Sequence, residues 1–239
     1  MSDEDLGKIK NVYGLSEERR RAIARSTREL RTADEEFEAA FKILRKYPKR
    51  ITFFGSARLT AHSPYYRMAR SISAELASDG YAILSGGGGG IMEAGDRGAY
   101  EEDDVAIGFN IRLPHEQHVN PYTTEQLTFN FFFTRKVMMT FYSHAFICFP
   151  GGYGTLDEFF EVLTLVQTGK MPRVPIILVG KKFWRDLDRY LRRHMLYTGL
   201  ISKGDEKLYH ITEDIVEIRR MLRHSELQAG KQDQQKRSF

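Results

Sequence analysis

One stretch of nine residues, from Pro150 to Glu158, reads Pro-Gly-Gly-Tyr-Gly-Thr-Leu-Asp-Glu and lies between an apolar run and a helical pattern. This order predicts a buried strand, a tight glycine loop and the first turns of a helix. Glycines let a ligand approach the backbone, and the first N–H groups of a helix are unpaired donors. We therefore expect a phosphate site here. Glu158 would repel a phosphate, so it is expected to face the reacting part of the ligand.

The same order of apolar run, turn and amphipathic helix recurs through the central part of the chain. The apolar runs are residues 51–54, 81–84, 105–107, 144–149 and 174–179. This alternation predicts an α/β, Rossmann-like fold with a doubly wound, mostly parallel sheet and ligand loops at its carboxyl edge. We expect this nucleotide-binding catalytic domain to span residues 49–224.

Segments of different character flank the predicted domain. Residues 1–48 form a helical extension, with one helix from Ser16 to near Arg31 and a second that begins at a capping box, residues 32–35. The second helix carries an apolar stripe that must pack on the main domain or on a second subunit. This stripe consists of Phe37, Ala40, Phe41 and Leu44. A last helix is expected over residues 212–223, and the polar residues 225–239 are expected to be disordered.

Two further glycine loops follow predicted strands. Ser56 comes directly after the first strand and could hold a ligand hydroxyl or phosphate, or only form a turn with its own backbone. Gly86 to Gly90 are five consecutive glycines, whose entropic cost indicates close approach of a ligand or of another backbone. Gly87 and Gly88 are the candidate contacts in this loop. It does not match the dinucleotide fingerprint, because no acidic residue follows where NAD ribose needs one.

Arg135 and Lys136 lie side by side in an apolar helical segment, residues 129–142. Adjacent helical positions point about 100° apart, and a cation among apolar residues needs an anionic partner. That partner is either a ligand or a carboxylate of the chain. His115 and His118 lie in a polar loop without a third ligand of suitable spacing, so we expect no metal.

Composition limits the classes of function. The chain has 239 residues and a net charge of +4, but its basic residues are spread along the sequence and match no nucleic-acid-binding motif. We therefore expect no nucleic-acid partner. Cys148 is the only cysteine, which excludes an intrachain disulfide and fits a reducing compartment. No apolar run approaches the ~20 residues that span a bilayer. We expect a cytoplasmic protein without a membrane partner.

Three motifs together resemble the LOG ("lonely guy") family, long described as possible lysine decarboxylases. They are the glycine run with Ile91, Met92, Glu93 and Ala94, the Arg135–Lys136 pair, and the PGGxGTxxE motif of residues 150–158. The resemblance covers residues 51–220. It implies hydrolysis of the N-glycosidic bond of nucleoside 5′-monophosphates, including cytokinin riboside monophosphates, to free base and ribose 5-phosphate. The N-terminal helices and residues 112–122 look like the longer prokaryotic branch and leave the base preference open.

The resemblance also implies roles for individual residues. Arg135 and Glu158 match the catalytic pair of the family. The phosphate loop corresponds to Gly151, Gly152, Gly154 and Thr155, and further candidate substrate contacts are Lys136, Thr164 and Glu116. Family members are dimers, so a homodimer or an assembly of dimers is expected. No cofactor is expected, because nothing singles out a Schiff-base lysine for pyridoxal phosphate.

Two other functions are also compatible with these residues. One is a nucleotide or phospho-ligand carrier that keeps the loops without turnover. Intact Arg135 and Glu158 favour the enzyme, because a pure phosphate binder does not need a carboxylate beside an anion. The other is a DNA-processing protein related by fold, which would require salt-sensitive DNA binding.

Overall fold

A computed structural model describes residues 16–19, 21, 32–113 and 119–237 of the chain. Most of the helix predicted from Ser16 to Arg31 lies outside these residues. His115, Glu116 and His118 lie outside them as well.

Seven strands form one sheet, and helices connect most of them. The strands are β1 (Arg50–Phe54), β2 (Ala82–Ser85), β3 (Ala106–Ile111), β4 (Glu125–Phe129), β5 (Ala145–Cys148), β6 (Ile176–Leu178) and β7 (His210–Ile211). The α-helices are α1 (Thr32–Leu44), α2 (Pro64–Ser78), α3 (Ile91–Glu101), α4 (Phe132–Thr140), α5 (Tyr153–Gln167), α6 (Lys181–Leu191) and α7 (Ile215–Arg237). A π-helical turn follows α6, and a 3-10 turn precedes β7.

The sheet is parallel throughout, with the strand order β4-β3-β2-β1-β5-β6-β7. The chain begins at the centre of the sheet, winds to one edge, and returns to place β5 beside β1. This order confirms the predicted doubly wound α/β fold. The carboxyl ends of β1 and β5 flank the switch point of the winding, where sheets of this kind bind ligands.

Helices cover both faces of the sheet, which explains why the strands read as continuous apolar runs. Strands β1, β2, β3, β5 and β6 are buried at every position, as expected for parallel strands between two helical layers. Helices α1, α4, α5 and α6 pack on one face, and α2, α3 and α7 pack on the other. Their inward side chains include Leu44, Met138, Phe159 and Trp184 on the first face and Ile72, Ile91 and Ile218 on the second.

The apolar stripe of helix α1 packs on the core of the main domain. Ala40 and Leu44 are buried in the core of the main domain, and Phe37 and Phe41 pack against that core. Phe41 also meets the ring of Tyr142 edge to face, with 5.1 Å between ring centroids. The stripe therefore packs on the main domain, which is the first of the two alternatives that the sequence left open.

The last helix differs from its prediction. Helix α7 continues to Arg237 instead of ending near Arg223, so it covers most of the residues expected to be disordered. Residues 224–237 contain no proline and are rich in Gln, Lys, Glu and Arg, which have good helix propensity. Polarity alone was therefore a poor guide to the end of this helix. None of the described helices is long and apolar enough to span a bilayer.

Candidate active site

A pocket of about 900 Å³ opens at the switch point, above the carboxyl ends of β1 and β5. Residues 55–59, which follow β1, line one side, and residues 150–156, which follow β5, line another. Arg135 from α4 and Glu158 from α5 complete its polar wall. The sequence-predicted phosphate loop and the predicted catalytic pair therefore share one pocket.

The loop after β5 forms a cradle that has no room for a side chain at Gly151. A Cβ added at Gly151 would lie 2.1 Å from Thr155 Oγ1 and 3.0 Å from the backbone nitrogen of Ser56. Thr155 is buried, and Gly152 precedes the first turn of α5. Among the described residues, no side chain caps that helix. Its first-turn N–H groups and the helix dipole can therefore serve an anion in the pocket.

Ser56 ties the two loops together. Its backbone N–H donates to the carbonyl of Pro150 (3.0 Å), and its hydroxyl accepts from the backbone N–H of Arg58 (3.1 Å). Ser56 thus forms the local turn and also lines the pocket. Arg58 is an exposed cation on the same wall, which the sequence analysis missed. Its position two residues after the serine of a strand-end turn was the available signal.

Arg135 reaches the pocket from the first turns of α4. Its Nε donates to the carbonyl of Phe109 at the end of β3 (2.6 Å), and its Nη1 lies 3.8 Å from Glu158 Oε1. A Cβ at Gly86 would lie only 2.3 Å from Arg135 Nη2. The first residue of the glycine run therefore leaves space for the guanidinium. This explains one part of the five-glycine sequence by contact with a side chain of the same protein.

The electrostatics of the pair differ for its two members. Burial raises the pKa of Glu158 to about 7, and the charge of Arg135 opposes that rise. Burial lowers the pKa of Arg135, yet a guanidinium remains charged at every ordinary pH. Glu158 can therefore exchange a proton near neutral pH, whereas Arg135 can only donate hydrogen bonds and positive charge. A carboxylate with a pKa near the working pH suits general-base chemistry.

Lys136 and Thr164 do not line this pocket. Lys136 Nζ lies 2.9 Å from Asp157 Oδ2 and 2.9 Å from Glu161 Oε2, so its anionic partners belong to the chain. The hydroxyl of Thr164 donates to the carbonyl of Phe160 within α5 (2.7 Å). Thr164 borders a separate, smaller cavity. Glu116 lies outside the described residues, and its assignment stays a prediction.

Gly87 and Gly88 are buried behind the pocket instead of lining it. The backbone N–H of Gly87 donates to Ser85 Oγ (2.9 Å), and Asn120 Nδ2 donates to the carbonyl of Gly88 (3.0 Å). Asp96 joins these supports, because its Oδ2 accepts from Ser85 Oγ (2.7 Å) and from Asn120 Nδ2 (2.7 Å). Burial raises the pKa of Asp96 to about 7. The glycine run thus rests on a buried polar network.

The described residues contain no group of three or more His, Cys, Asp or Glu side chains that could hold a metal ion. The polar groups of the pocket include the loop amides, two arginines, two tyrosines, Ser56, Thr155 and Glu158. Such groups can bind an anion at one end of a ligand and act on an electrophilic carbon at the other end.

A family model described as "possible lysine decarboxylase" matches residues 92–222, which is more than half of the chain. The chain belongs to this family, also called the LOG family. The match includes Arg135 and the whole PGGxGTxxE motif. Over 176 residues the chain is 27% identical to a cytokinin riboside 5′-monophosphate phosphoribohydrolase of Rhodococcoides fascians, covering 72% of this chain and 87% of that relative. It is 30% identical over 124 residues to the rice enzyme of the same name, covering 51% of each chain.

Solved structures share the fold of this LOG-family chain. A molybdenum cofactor binding protein from Rippkaea orientalis superposes with a TM-score of 0.56 at 18% identity, over 74% of this chain and 96% of that one. A molybdenum cofactor carrier protein from Chlamydomonas reinhardtii superposes with a TM-score of 0.54 at 19% identity, over 74% and 97%. At these identities the likeness establishes the fold alone.

Proposed function

We propose that this chain hydrolyses the N-glycosidic bond of nucleoside 5′-monophosphates to free base and ribose 5-phosphate. The observation that carries the proposal is the placement of Arg135 and Glu158 in the same pocket as the glycine loop at the start of α5. Membership of the LOG family and the names of its curated relatives support phosphoribohydrolase chemistry. Adenine and substituted adenine are the candidate bases.

The 5′-phosphate is expected at the loop of residues 150–155. There, first-turn amides of α5, the hydroxyl of Thr155 and the cation of Arg58 offer donors and positive potential. Binding the phosphate at this end would direct the ribose toward Glu158. Remote binding energy of this kind holds the reacting carbon in place and lowers the barrier to reaction.

Glu158 is expected to act at C1′. Breaking the ribosyl C–N bond leaves positive charge on the ring, which a nearby carboxylate stabilises. The same carboxylate can take a proton from the attacking water, whose oxygen then joins C1′ as the base departs with the bond electrons and gains a proton. Arg135 orients Glu158 or binds the ligand, since a guanidinium cannot serve as a base.

The test is to incubate the protein with AMP, other nucleoside monophosphates and isopentenyladenosine monophosphate, and to measure the free base by chromatography. Each monophosphate is paired with its nucleoside. We expect base release from at least one monophosphate, and a loss of both turnover and affinity for the nucleoside. Absence of base release from the whole panel, with a folded and pure protein, would contradict the proposal.

Some observations also favour self-association as a homodimer or an assembly of dimers. Phe132 and Phe133, which precede Arg135 by three and two residues, are 56% and 46% exposed, and Tyr153 on the pocket rim is 94% exposed. Large apolar side chains near a pocket are typical of a surface that a partner covers. Light scattering should give at least twice the chain mass of 27.7 kDa at micromolar concentration. A monomer would contradict this expectation.

A carrier of a nucleotide-like ligand is the second candidate, because a protein named as a molybdenum cofactor binding protein and one named as a molybdenum cofactor carrier protein share the fold. Calorimetry separates the two functions. Tight binding of a monophosphate without base release over hours would favour the carrier. Binding accompanied by base release would favour the enzyme.

A further inference from the structure

The N-terminal helix α1 touches the helix that bears Arg135 through one buried carboxylate. Glu36 is 7% exposed, although it lies on a helix that precedes the sheet. Its Oε1 accepts from the backbone N–H of Asn130 (2.6 Å) and from Asn130 Nδ2 (2.9 Å), and its Oε2 accepts from Thr134 Oγ1 (2.5 Å). These two partners flank the first turn of α4, directly before Arg135.

The carboxylate holds the start of α4 through Asn130, which precedes the cap position, and through the side-chain hydroxyl of Thr134 in the first turn. The residue at the cap position of α4 is Phe131, and among the described side chains none on α4 itself caps the helix. The hydroxyl of Thr134 donates to Glu36 and also to the carbonyl of Phe131 (2.9 Å). A negative charge at a helix N-terminus is favoured by the helix dipole, and the N–H of Asn130 needs an acceptor. Glu36 meets both needs from another element. The start of α4 is therefore fixed by α1.

A second buried charge holds the other end of the same helix. Arg50, on β1, donates from Nε to the carbonyl of Tyr142, just beyond α4 (2.8 Å). Its Nη1 donates to the carbonyls of Leu44 (2.7 Å) and Tyr47, at the end of α1. The anion lies at the N-terminus of α4 and the cation near its C-terminus, as the helix dipole favours. Helix α4 is thus clamped at both ends to the N-terminal segment.

We propose that Glu36 is a positioning residue, which fixes the first turn of α4 so that Arg135 is held against Glu158. The kinetic part of this inference rests on the proposed function. Among the described residues, the carbonyl of Phe109 is the one hydrogen-bond acceptor of the Arg135 guanidinium, so the rest of its position depends on where its own helix begins. Loss of the Glu36 contacts removes the acceptor of the Asn130 N–H and one of the two acceptors of the Thr134 hydroxyl, which keeps its bond to the carbonyl of Phe131 (2.9 Å). The first turn then shifts, and the guanidinium shifts with it.

The pKa of Glu158 depends on the position of Arg135, and it can be measured whether or not the protein is an enzyme. The charged groups that act on Glu158 are Arg135 and Lys136 from α4 and Asp157 and Glu161 from α5. The thiol of Cys148, on β5, also lies within its electrostatic reach. Of these, Arg135 has the largest effect, and it lowers the pKa of Glu158. Movement of Arg135 away from Glu158 must therefore raise that pKa.

The experiment compares three variants by ¹³C NMR titration of the glutamate carboxyl carbons, with the Glu158 signal assigned from Glu158→Gln. In Glu36→Ala, Glu158 should titrate at least about 0.5 pH unit above the wild type. In Glu36→Gln, it should titrate near the wild-type pH, because the amide can accept from Asn130 and donate to Thr134. Lys46→Ala is the matched control. It removes an ion pair between the segment after α1 and Glu125 of β4 without touching α4.

The kinetic readout follows the same pattern. Glu36→Ala should lower kcat for base release by at least ~10-fold, since misplacement by about 1 Å can cost far more. Glu36→Gln should restore most of the rate, and Lys46→Ala should leave it unchanged. A wild type without base release would contradict the proposed function, but the titration would still decide the role of Glu36.

A folded Glu36→Ala protein in which Glu158 titrates at the wild-type pH would overturn the inference. If Glu36→Ala does not fold, Thr134→Val supplies the same test, because it keeps the side-chain shape and removes the hydroxyl with its bonds to Glu36 and to the carbonyl of Phe131. An unshifted titration of Glu158 in Thr134→Val would then be the contrary result.

Discussion

Asp96 offers the sharpest test of the buried network beneath the glycine run. Its side chain is fully buried, and no described group hydrogen-bonds to its Oδ1. Burial raises the pKa of Asp96 from 3.8 to about 7, although hydrogen bonds from Asn120 and Ser85 oppose this rise. The change Asp96→Asn keeps the shape and the acceptor for both hydrogen bonds. It removes the negative charge and replaces the other carboxylate oxygen by an amide NH₂ group.

The sign of the effect follows from proton linkage. Between pH 4 and pH 7 the unfolded chain releases the Asp96 proton while the folded chain keeps it, so stability falls as pH rises. The slope is about 1.4 kcal/mol per pH unit. From pH 5 to pH 7 the wild type should therefore lose about 2–3 kcal/mol that Asp96→Asn does not lose. Any constant cost of the unpaired amide N–H cancels in this difference.

Urea unfolding at pH 5, 6, 7 and 8 measures the effect directly. The difference in unfolding free energy between Asp96→Asn and wild type should grow in favour of the variant up to pH 7 and level off above it. In thermal unfolding, a gain of 1 kcal/mol corresponds to about 2–4 °C for a chain of this size. Glu38→Gln, at an exposed position of α1, is the control. Parallel stability curves for wild type and Asp96→Asn would refute the reasoning.

Two further predictions concern the pocket. Base release should increase as pH rises through about 7, because Glu158 must lose its proton to act as a base; a rate that is flat from pH 5.5 to pH 8.5 would count against this. Gly151→Ala should raise KM for a monophosphate at least ~10-fold, because the new methyl group would enter the cradle beside Thr155. Isothermal titration calorimetry with ribose 5-phosphate measures the loss of affinity in Gly151→Ala. An affinity equal to that of the wild type would argue against a phosphate at this loop.

The fold was predictable because its signals are local and repeated. Strands that are buried on both faces appear in the sequence as continuous apolar runs, and turn residues mark their ends. The edge strand β4 was harder to predict. Its burial alternates along the strand, and Glu125 within it pairs with Lys46 (2.7 Å) and accepts from the hydroxyl of Tyr47 (2.9 Å). A strand with one open side lacks the continuous apolar run that identified the others.

The sequence predicts the site residues that belong to a motif. It does not predict those whose contacts come from distant parts of the chain. Ser56, Thr155 and Glu158 lie at strand ends or at a helix start, so topology alone brings them together. Lys136 was ambiguous, because its partners come from α5 and no spacing in the sequence reveals that contact. Glu36 gave no signal, since a glutamate on an amphipathic helix reads as a solvated residue. Its partners are about 100 residues away along the chain.

The central claim is that this pocket cleaves a nucleoside 5′-monophosphate at C1′ with Glu158 as the acting carboxylate. The direct measurement is the amount of free base and ribose 5-phosphate released from AMP, or from the best monophosphate, by the wild type and by Glu158→Gln. The account predicts equal amounts of the two products from the wild type. It predicts at least ~10²-fold slower release by Glu158→Gln, with ribose 5-phosphate still bound. Release by Glu158→Gln at the wild-type rate would contradict the account.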